Sequence, residues 1–404
     1  MLNFQNKNFY QSLLNLSLYL FVYYYFVRVV YVYYKLAKYI SLDFYRVALF
    51  VPAVIFITLA AYHYFKNIQQ LKNNIYLNSF LSLFAIIVLS IIYHFIFRLD
   101  YMSDDVFSYQ IKNLSYSILN ALLGFYLYQQ LNSNSSKKII FVVWFFYAIM
   151  LLINLNGFAL DTKGVSGVHL MLGDTFIIIS IVAIFMNINH KILKIISLSA
   201  VLILAYLINS RSSFFSFLVV YLFFLYKEIG LKNLLYLFVL MFFVAFALYY
   251  FDLLRINKRM FGVFQGHSDG SLNERMEQFK YGIEAIKNNW FFGEFAGQAI
   301  VHTQGYRSGQ MGAYMHNWLS YYRQFGLVFF VIFTLMFVYA GLFILKEWYL
   351  KNTPIKNMLY YLFVFEAVSL LVFRAYSFTH VWLVMVMLYS YIHDKNIKNL
   401  SEKA

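Results

Sequence analysis

Ten arginines and a His316-Asn317 pair are the residues of this 404-residue chain with the clearest capacity for chemistry. Arg275 leads a charged stretch, and Arg211 stands within Ile208-Asn209-Ser210-Arg211-Ser212-Ser213. Arg374 follows the intramembrane acid Glu366 by eight residues, Arg323 lies seven beyond His316, and Lys163 is the basic residue of a loop near position 160. Arginine presents a planar, permanently charged fork that binds phosphate or carboxylate through two parallel hydrogen bonds. Gathered round a cavity, such side chains would hold a polyanionic head group; scattered along a membrane edge, they would only snorkel. His316-Asn317 also has a plain structural use, since either residue can cap the orphan amides of a helix N-terminus. The chain has no cysteine, which excludes disulfides, thiolate metal sites and a Cys nucleophile. No His-x-x-x-His pair or carboxylate cluster suggests a metal, and no glycine-rich phosphate loop stands between a strand and a helix. The expected metal content is none.

The elements that must position these residues are membrane helices. The chain is 62% hydrophobic and 12% charged, with two prolines and a mean hydropathy of +0.65. This is the composition of a polytopic membrane protein. A crossing helix needs about 20 apolar residues, because every backbone polar group must be paired internally. Apolar runs fall at 9–27, 44–65, 75–97, 114–131, 139–156, 168–187, 192–208, 212–226, 231–250, 317–345, 357–373 and 376–392. The expected fold is therefore an all-α polytopic membrane protein, one integral membrane domain over 1–404 with about twelve transmembrane helices. The first run lacks a small-residue cleavage site, so no cleavable signal peptide is expected.

The net charge of +15 is placed by topology and does not point to nucleic acid. With the N-terminus taken as cytoplasmic, the inner side holds 15 Lys, no Arg and four acids. The outer half holds all ten Arg, seven Lys and 13 acids. Short Lys-rich inner loops, such as Lys137-Lys138 and Lys191/Lys194, fit the positive-inside rule. Arg28, Lys35, Lys38 and Arg46 sit on the wrong side for it, a conflict that an interfacial helix over 28–40 would ease. Orientation needs only positive charge, so the confinement of arginine to one side points to an outward-facing cavity for a polyanion.

One region, 251–315, breaks the apolar pattern with 13 charged residues. On the same topology it is a large extracytoplasmic loop between the ninth and tenth helices. Ser271-Leu272-Asn273-Glu274 has the pattern of a capping box. Leu272, Met276, Phe279, Ile283 and Ile286 then recur at helical spacing, with Arg275, Gln278, Gly282 and Ala285 on a neighbouring, more polar stripe. Trp290-Phe291-Phe292 would return the chain to the headgroup level, where aromatics settle. An amphipathic helix lying on the membrane and roofing a cavity is expected here, followed by a glycine-rich loop that leads to His316.

These residues resemble the O-antigen polymerase and O-antigen ligase superfamily of bacterial envelope glycosyltransferases. The likeness is carried by Ser210-Arg211-Ser212-Ser213, by Glu274-Arg275 through Trp290-Phe291-Phe292-Gly293, and by His316-Asn317-Trp318-Leu319 with Gly326 downstream. Gly164-Val165-Ser166-Gly167 before Leu172-Gly173-Asp174 is a weaker fourth element. Together they span roughly 157–345, about half of the chain. The departures are Trp290 where the family commonly has a proline before the landing glycine, a wider Gly293-to-Gly297 spacing, and Lys163 in place of arginine.

The resemblance implies a metal-independent sugar transferase with a GT-C-like fold and no cofactor. Its donor and acceptor would be undecaprenyl-pyrophosphate-linked oligosaccharides, and it would sit in the bacterial inner membrane with its active site facing the periplasm. Arg275 and Arg211 would stabilise the pyrophosphate leaving group, as fixed cations do most strongly at low dielectric. His316 would assist attack by the acceptor hydroxyl or position it. Asn317, Arg374, Lys163 and Arg323 are the further substrate-binding candidates. Partners would be membrane lipids and a chain-length regulator protein, with no nucleic acid. Leu170-Met171-Leu172-Gly173-Asp174 looks polymerase-like, so a repeat-unit polymerase is the leading reading, and a ligase to lipid A-core is the alternative. A lipid-linked oligosaccharide flippase would also have about twelve helices, but no internal repeat of the kind expected for one is visible.

Overall fold

The computed structural model describes residues 7–34, 42–66, 75–97, 104–156, 159–160, 168–250, 270–295, 315–350 and 353–401. Helix α1 (Lys7–Val22) runs through a π-helical turn (Tyr23–Val27) into α2 (Arg28–Tyr33). There follow α3 (Leu42–Lys66), α4 (Ile75–Phe97), α5 (Asp104–Gln130) and α6 (Asn134–Ile153). A two-residue antiparallel pair, Leu155–Asn156 with Ala159–Leu160, leads to α7 (Val168–Asn187) and α8 (Lys191–Leu207). The chain continues as α9 (Arg211–Tyr250), α10 (Gly270–Asn288), α11 (Leu319–Leu350), α12 (Pro354–Val368) with a π turn (Ser369–Phe373), and α13 (His380–Ser401).

Each of the twelve apolar runs lies largely on helix, with residues 131, 154–156, 208, 317–318 and 376–379 outside it. Among the described residues, seven helices are long and apolar enough to cross a membrane. The fold is thus that of an all-helical, multi-pass membrane protein. Helix α2 is not the interfacial helix expected over 28–40: residues 28–33 continue the first helix, with Val29, Tyr31 and Tyr33 buried. Arg28 is held between the rings of Tyr24 and Tyr116, at 4.8 Å from each centroid; residues 35–40 lie outside the described ones.

Helix α7 is the central pillar. Phe176 to Phe185 is apolar all round but for Ser180, and a helix without a polar face is stable only in a core. Accordingly 89% of its apolar window is buried, against 22% for α6 and 28% for α4, whose outer faces are left for lipid. The pillar carries Gly173-Asp174 near its N-terminal end and packs on α6, α8, α9 and α12.

The tenth apolar run does not cross as one rod. Trp318 Nε1 donates to Thr334 Oγ1 at 3.0 Å, and the Trp318 ring stacks on Phe333 at 5.0 Å. Sixteen residues of straight helix would separate these groups by about 24 Å, so the chain reverses between them. The reversal is at Gly326, with φ 76° and ψ −176°. Residues 318–325 fold back along the arm that starts at Leu327, with Tyr321 on Phe333 and Tyr322 on Phe330. The longer arm keeps the length that a crossing requires. Gly230 breaks α9 with a similar left-handed φ of 79°, between the runs 212–226 and 231–250.

Candidate active site

The short arm before Gly326 recesses His316 into the bundle. Trp318 reaches Thr334, eight residues past the reversal, which places it about 12 Å along the helix axis from the turn. Asn317 caps this arm: its Oδ1 accepts from the Leu319 amide at 3.1 Å, and its carbonyl accepts from Ser320 at 3.0 Å. Half-buried His316 accordingly projects from a fixed helix start.

Nδ1 of His316 is buried and has no hydrogen-bond partner, while the ring bonds the backbone of Phe373 in the sense that favours its protonated form. That pattern assigns the tautomer. Nε2–H donates to the Phe373 carbonyl, and Nδ1 carries the open lone pair. Burial, then Arg275, then Arg374 push the His316 pKa down to about 4, with the Phe373 carbonyl opposing them. The imidazole is neutral near pH 7, and both arginines lie close enough to act on it.

Arg374 follows Phe373 directly and is buried. Its Nη2 contacts Asp174 at 2.7 Å on one carboxylate oxygen and 2.6 Å on the other. Ser213 Oγ donates to Asp174 Oδ1 at 2.7 Å and is itself 2.6 Å from Ser210 Oγ. The approach of α7 to the start of α9 depends on Gly173, where a Cβ would stand 2.5 Å from Ser213 Oγ. Asn209, with φ 65°, makes the left-handed turn between α8 and α9, a conformation that asparagine tolerates at a helix C-terminus. This turn sets Ser210 at the start of α9 and makes half-buried Arg211 its first residue. A cation at that position opposes the helix dipole, so the positive potential of the helix end and of the guanidinium add at one place. Glu366 is fully buried, and neither of its carboxylate oxygens has a hydrogen-bond partner.

Helix α10 roofs this region. The half-buried or buried positions are Arg275, Gln278, Gly282, Ile283, Ala285, Ile286 and Asn289; Met276 and Phe279 are 65% and 44% exposed, beside the exposed Glu277, Lys280, Glu284 and Lys287. Gly282 lies against Met315, next to His316. The inward face therefore carries Arg275 and Gln278 together with Ile283 and Ile286, and the outward face sets Met276 and Phe279 among charged side chains, a mixture that suits the head-group level of a membrane. Trp290, Phe291 and Phe292 are likewise exposed.

Of the expected site residues, the structure brings His316, Arg275 and Arg374 together and sets Arg211 within one turn of the Ser213–Asp174 contact. It places Asn317 as a helix cap. Arg323 is engaged elsewhere: its Nη2 pairs with Glu294 Oε2 at 3.3 Å. Lys163 lies outside the described residues, as do Arg255, Lys258 and Arg259 of the loop. Sequence reasoning gave no role to Asp174, Ser210 or Ser213. An acid inside an apolar run was the available signal for Asp174, whereas nothing local marks the two serines. Among the described residues no three His, Asp or Glu side chains gather as a metal site.

Residues 192–334 match a family model described as O-antigen ligase. The matched segment contains Ser210 to Ser213, Arg275, the 289–295 turn, His316-Asn317 and Gly326. No curated protein matches the chain. Helices and match together describe a multi-pass membrane protein, similar over residues 192–334 to the O-antigen ligase family. More particularly, the match over 192–334 is in line with the resemblance to the O-antigen polymerase and ligase superfamily.

Proposed function

We propose that this protein is a polysaccharide repeat-unit polymerase of the GT-C type. It transfers a glycan chain from undecaprenyl pyrophosphate onto a lipid-linked repeat unit, at the periplasmic face of the inner membrane and without a metal. The observation that carries the reading is the open Nδ1 lone pair of a neutral His316 beside two arginines, in a recess roofed by the Arg275 helix. In the reaction, the acceptor hydroxyl gives its proton to Nδ1 as its oxygen bonds the donor's anomeric carbon. The bond from that carbon to the pyrophosphate oxygen breaks, and the electron pair leaves with the pyrophosphate. Arg275 and Arg211 stabilise the charge that develops there. Arg374, neutralised by Asp174, holds the Phe373 carbonyl against Nε2–H and so sets the direction of the lone pair.

The ligase reading is favoured by the description of the matched family. Deletion separates the two: loss of a polymerase leaves lipid A-core decorated with single units, and loss of a ligase leaves it bare. Bare core would overturn the polymerase assignment and support the ligase. Metal independence is tested with EDTA in a purified reaction; activity lost and then restored by a divalent ion would refute it.

A further inference from the structure

His94 lies near the end of α4, far in sequence from the segment that matches the family. Its Nδ1 is 2.7 Å from the Ser90 carbonyl, its Nε2 is 3.3 Å from the Phe295 amide nitrogen, and the Gly293 carbonyl is 3.2 Å away. The short contact to Ser90 fixes the tautomer: Nδ1–H donates to that carbonyl, leaving Nε2 to accept from the Phe295 N–H. Its neighbour Tyr93 stacks on Phe292, at 4.5 Å between centroids and 16° between planes. Two adjacent side chains of α4 thus grip the 289–295 turn into which α10 lands.

The same turn is interlocked with the Gly326 reversal. Glu294 N–H donates to the Arg323 carbonyl at 2.6 Å, and Leu327 N–H donates to the Phe291 carbonyl at 3.0 Å. These are the acceptor and the donor that breaking α11 at Gly326 releases, so each half of the break is satisfied by the landing turn. Gly293 (φ 75°) and Gly326 (φ 76°) face each other, and a Cβ on Gly293 would stand 2.5 Å from the Gly326 nitrogen. The Arg323–Glu294 pair closes the joint from the side.

Two arms leave this joint. One is α10, with Arg275 thirteen residues back from Asn288, a lever of about 20 Å. The other is the short arm that ends at His316. A tilt of a few degrees at the joint moves the end of such a lever by roughly 1 Å, and a misplacement of that size can reduce a rate on the order of 100-fold.

We propose that His94 is a positioning residue of the transfer site: it clamps the 289–295 turn onto the Gly326 reversal, and so fixes the separation of Arg275 from His316. The proposal rests on the transferase reading above. It concerns a residue that touches no substrate and that acts through backbone held at a distance.

The test pairs kinetics with a distance. The chain has no native cysteine, so spin labels on Lys280→Cys, exposed on α10, and Ile203→Cys, exposed on α8, report the placement of the roof helix. His94→Phe keeps a ring but removes the acceptor. It is expected to lower kcat about 10- to 100-fold with KM changed less than about two-fold, and to broaden the label distance distribution. His94→Gln, whose side-chain carbonyl can accept from Phe295 N–H, is expected to recover most of both. Wild-type kcat in His94→Phe, or lost activity with the narrow distribution intact, overturns the proposal. Should His94→Phe not accumulate in membranes, Arg323→Gln cuts the same joint from its other side and is read by the same two measurements. If the unaltered chain transfers no glycan, the transferase reading fails, and the distance distribution still decides whether His94 clamps the turn.

Discussion

Arg374 and Asp174, 200 residues apart in sequence, meet in a buried ion pair with Nη2 at 2.6 and 2.7 Å from the two carboxylate oxygens. The pair ties the central pillar α7 to the segment that supplies the Phe373 carbonyl to His316. A charge taken from water is tolerated only when it is paired and hydrogen-bonded; Ser213 gives Asp174 its additional bond. Removing either partner therefore does two things at once: it strands a buried charge, and it frees the backbone that orients the imidazole.

Asp174→Ala or Arg374→Ala is expected to destabilise the fold by about 3–5 kcal/mol, the usual cost of breaking such a pair from one side. The double change Asp174→Leu with Arg374→Met removes both charges and is expected to regain most of that stability without regaining transfer. Thermal unfolding in detergent and polymer formation in cells read the two effects separately. Equal destabilisation by the single and double changes would show that the pair is not what holds these segments.

Arg275→Ala, Arg211→Ala and His316→Ala are each expected to abolish long polymer in cells at unchanged protein level. A lost electrostatic contact to a developing charge accounts for about 10²–10³ in rate, and a lost base for about 10²–10⁴. Arg275→Lys keeps the charge without the fork and is expected to recover only a small part. Wild-type polymer from all three alanine variants would refute the site.

The pH profile follows from the electrostatics of His316. The active form is neutral, so activity stands above its pKa and falls as pH drops through it. In the free enzyme that pKa is about 4, lowered by burial, Arg275 and Arg374. A bound pyrophosphate brings negative charge to those arginines and offsets their effect, which raises the pKa in the complex toward the range where a base is most effective. The acid limb of kcat/KM is therefore expected near pH 4, and the acid limb of kcat at higher pH. Coincident limbs would show that the donor does not bind beside Arg275 and Arg374.

Asn317 separates capping from substrate contact. Its Oδ1 is spent on the Leu319 amide, and loss of such a cap costs about 1 kcal/mol. Asn317→Ser and Asn317→Asp keep an accepting oxygen at that place and are expected to keep both stability and transfer, whereas Asn317→Ala loses a little of each. A transfer defect in the serine variant at full stability would instead assign Asn317 to the substrate.

How much of this was legible in the sequence differs by element, for physical reasons. The helical runs were legible because a bilayer demands long apolar segments, and the α10 helix because its period is local; its start at Gly270 puts Ser271 inside the helix and not at the cap expected of it. The reversal at Gly326 was not legible. Arg323-Gln324 is too short a polar break to read as a loop, and one left-handed glycine turns the chain. The Asp174–Arg374 pair was equally hidden: each residue stands out as an ion in an apolar run, but nothing local says which partner it finds. The two stripes of α10 were visible while their burial was not: Arg275, Gln278, Ile283 and Ile286 all end half-buried and Met276 and Phe279 end exposed, because burial depends on the surface a helix packs against, which its own sequence does not name.

That exposure is itself testable. Met276, Phe279 and Trp290 are exposed, so the roof helix should be seated at the boundary between head groups and acyl chains, where an amphipathic helix buries apolar side chains. Trp290 then becomes a depth probe. Its fluorescence is expected to be quenched strongly by lipids brominated near the head group and weakly by those brominated near the chain ends. Met276→Ser with Phe279→Ser removes apolar contact on that face without touching the Arg275 side, and is expected to weaken this quenching and to lower transfer several-fold. If Trp290 instead responds only to water-soluble quenchers, α10 stands clear of the membrane, and the exposure of Met276 and Phe279 needs a protein partner rather than lipid to explain it.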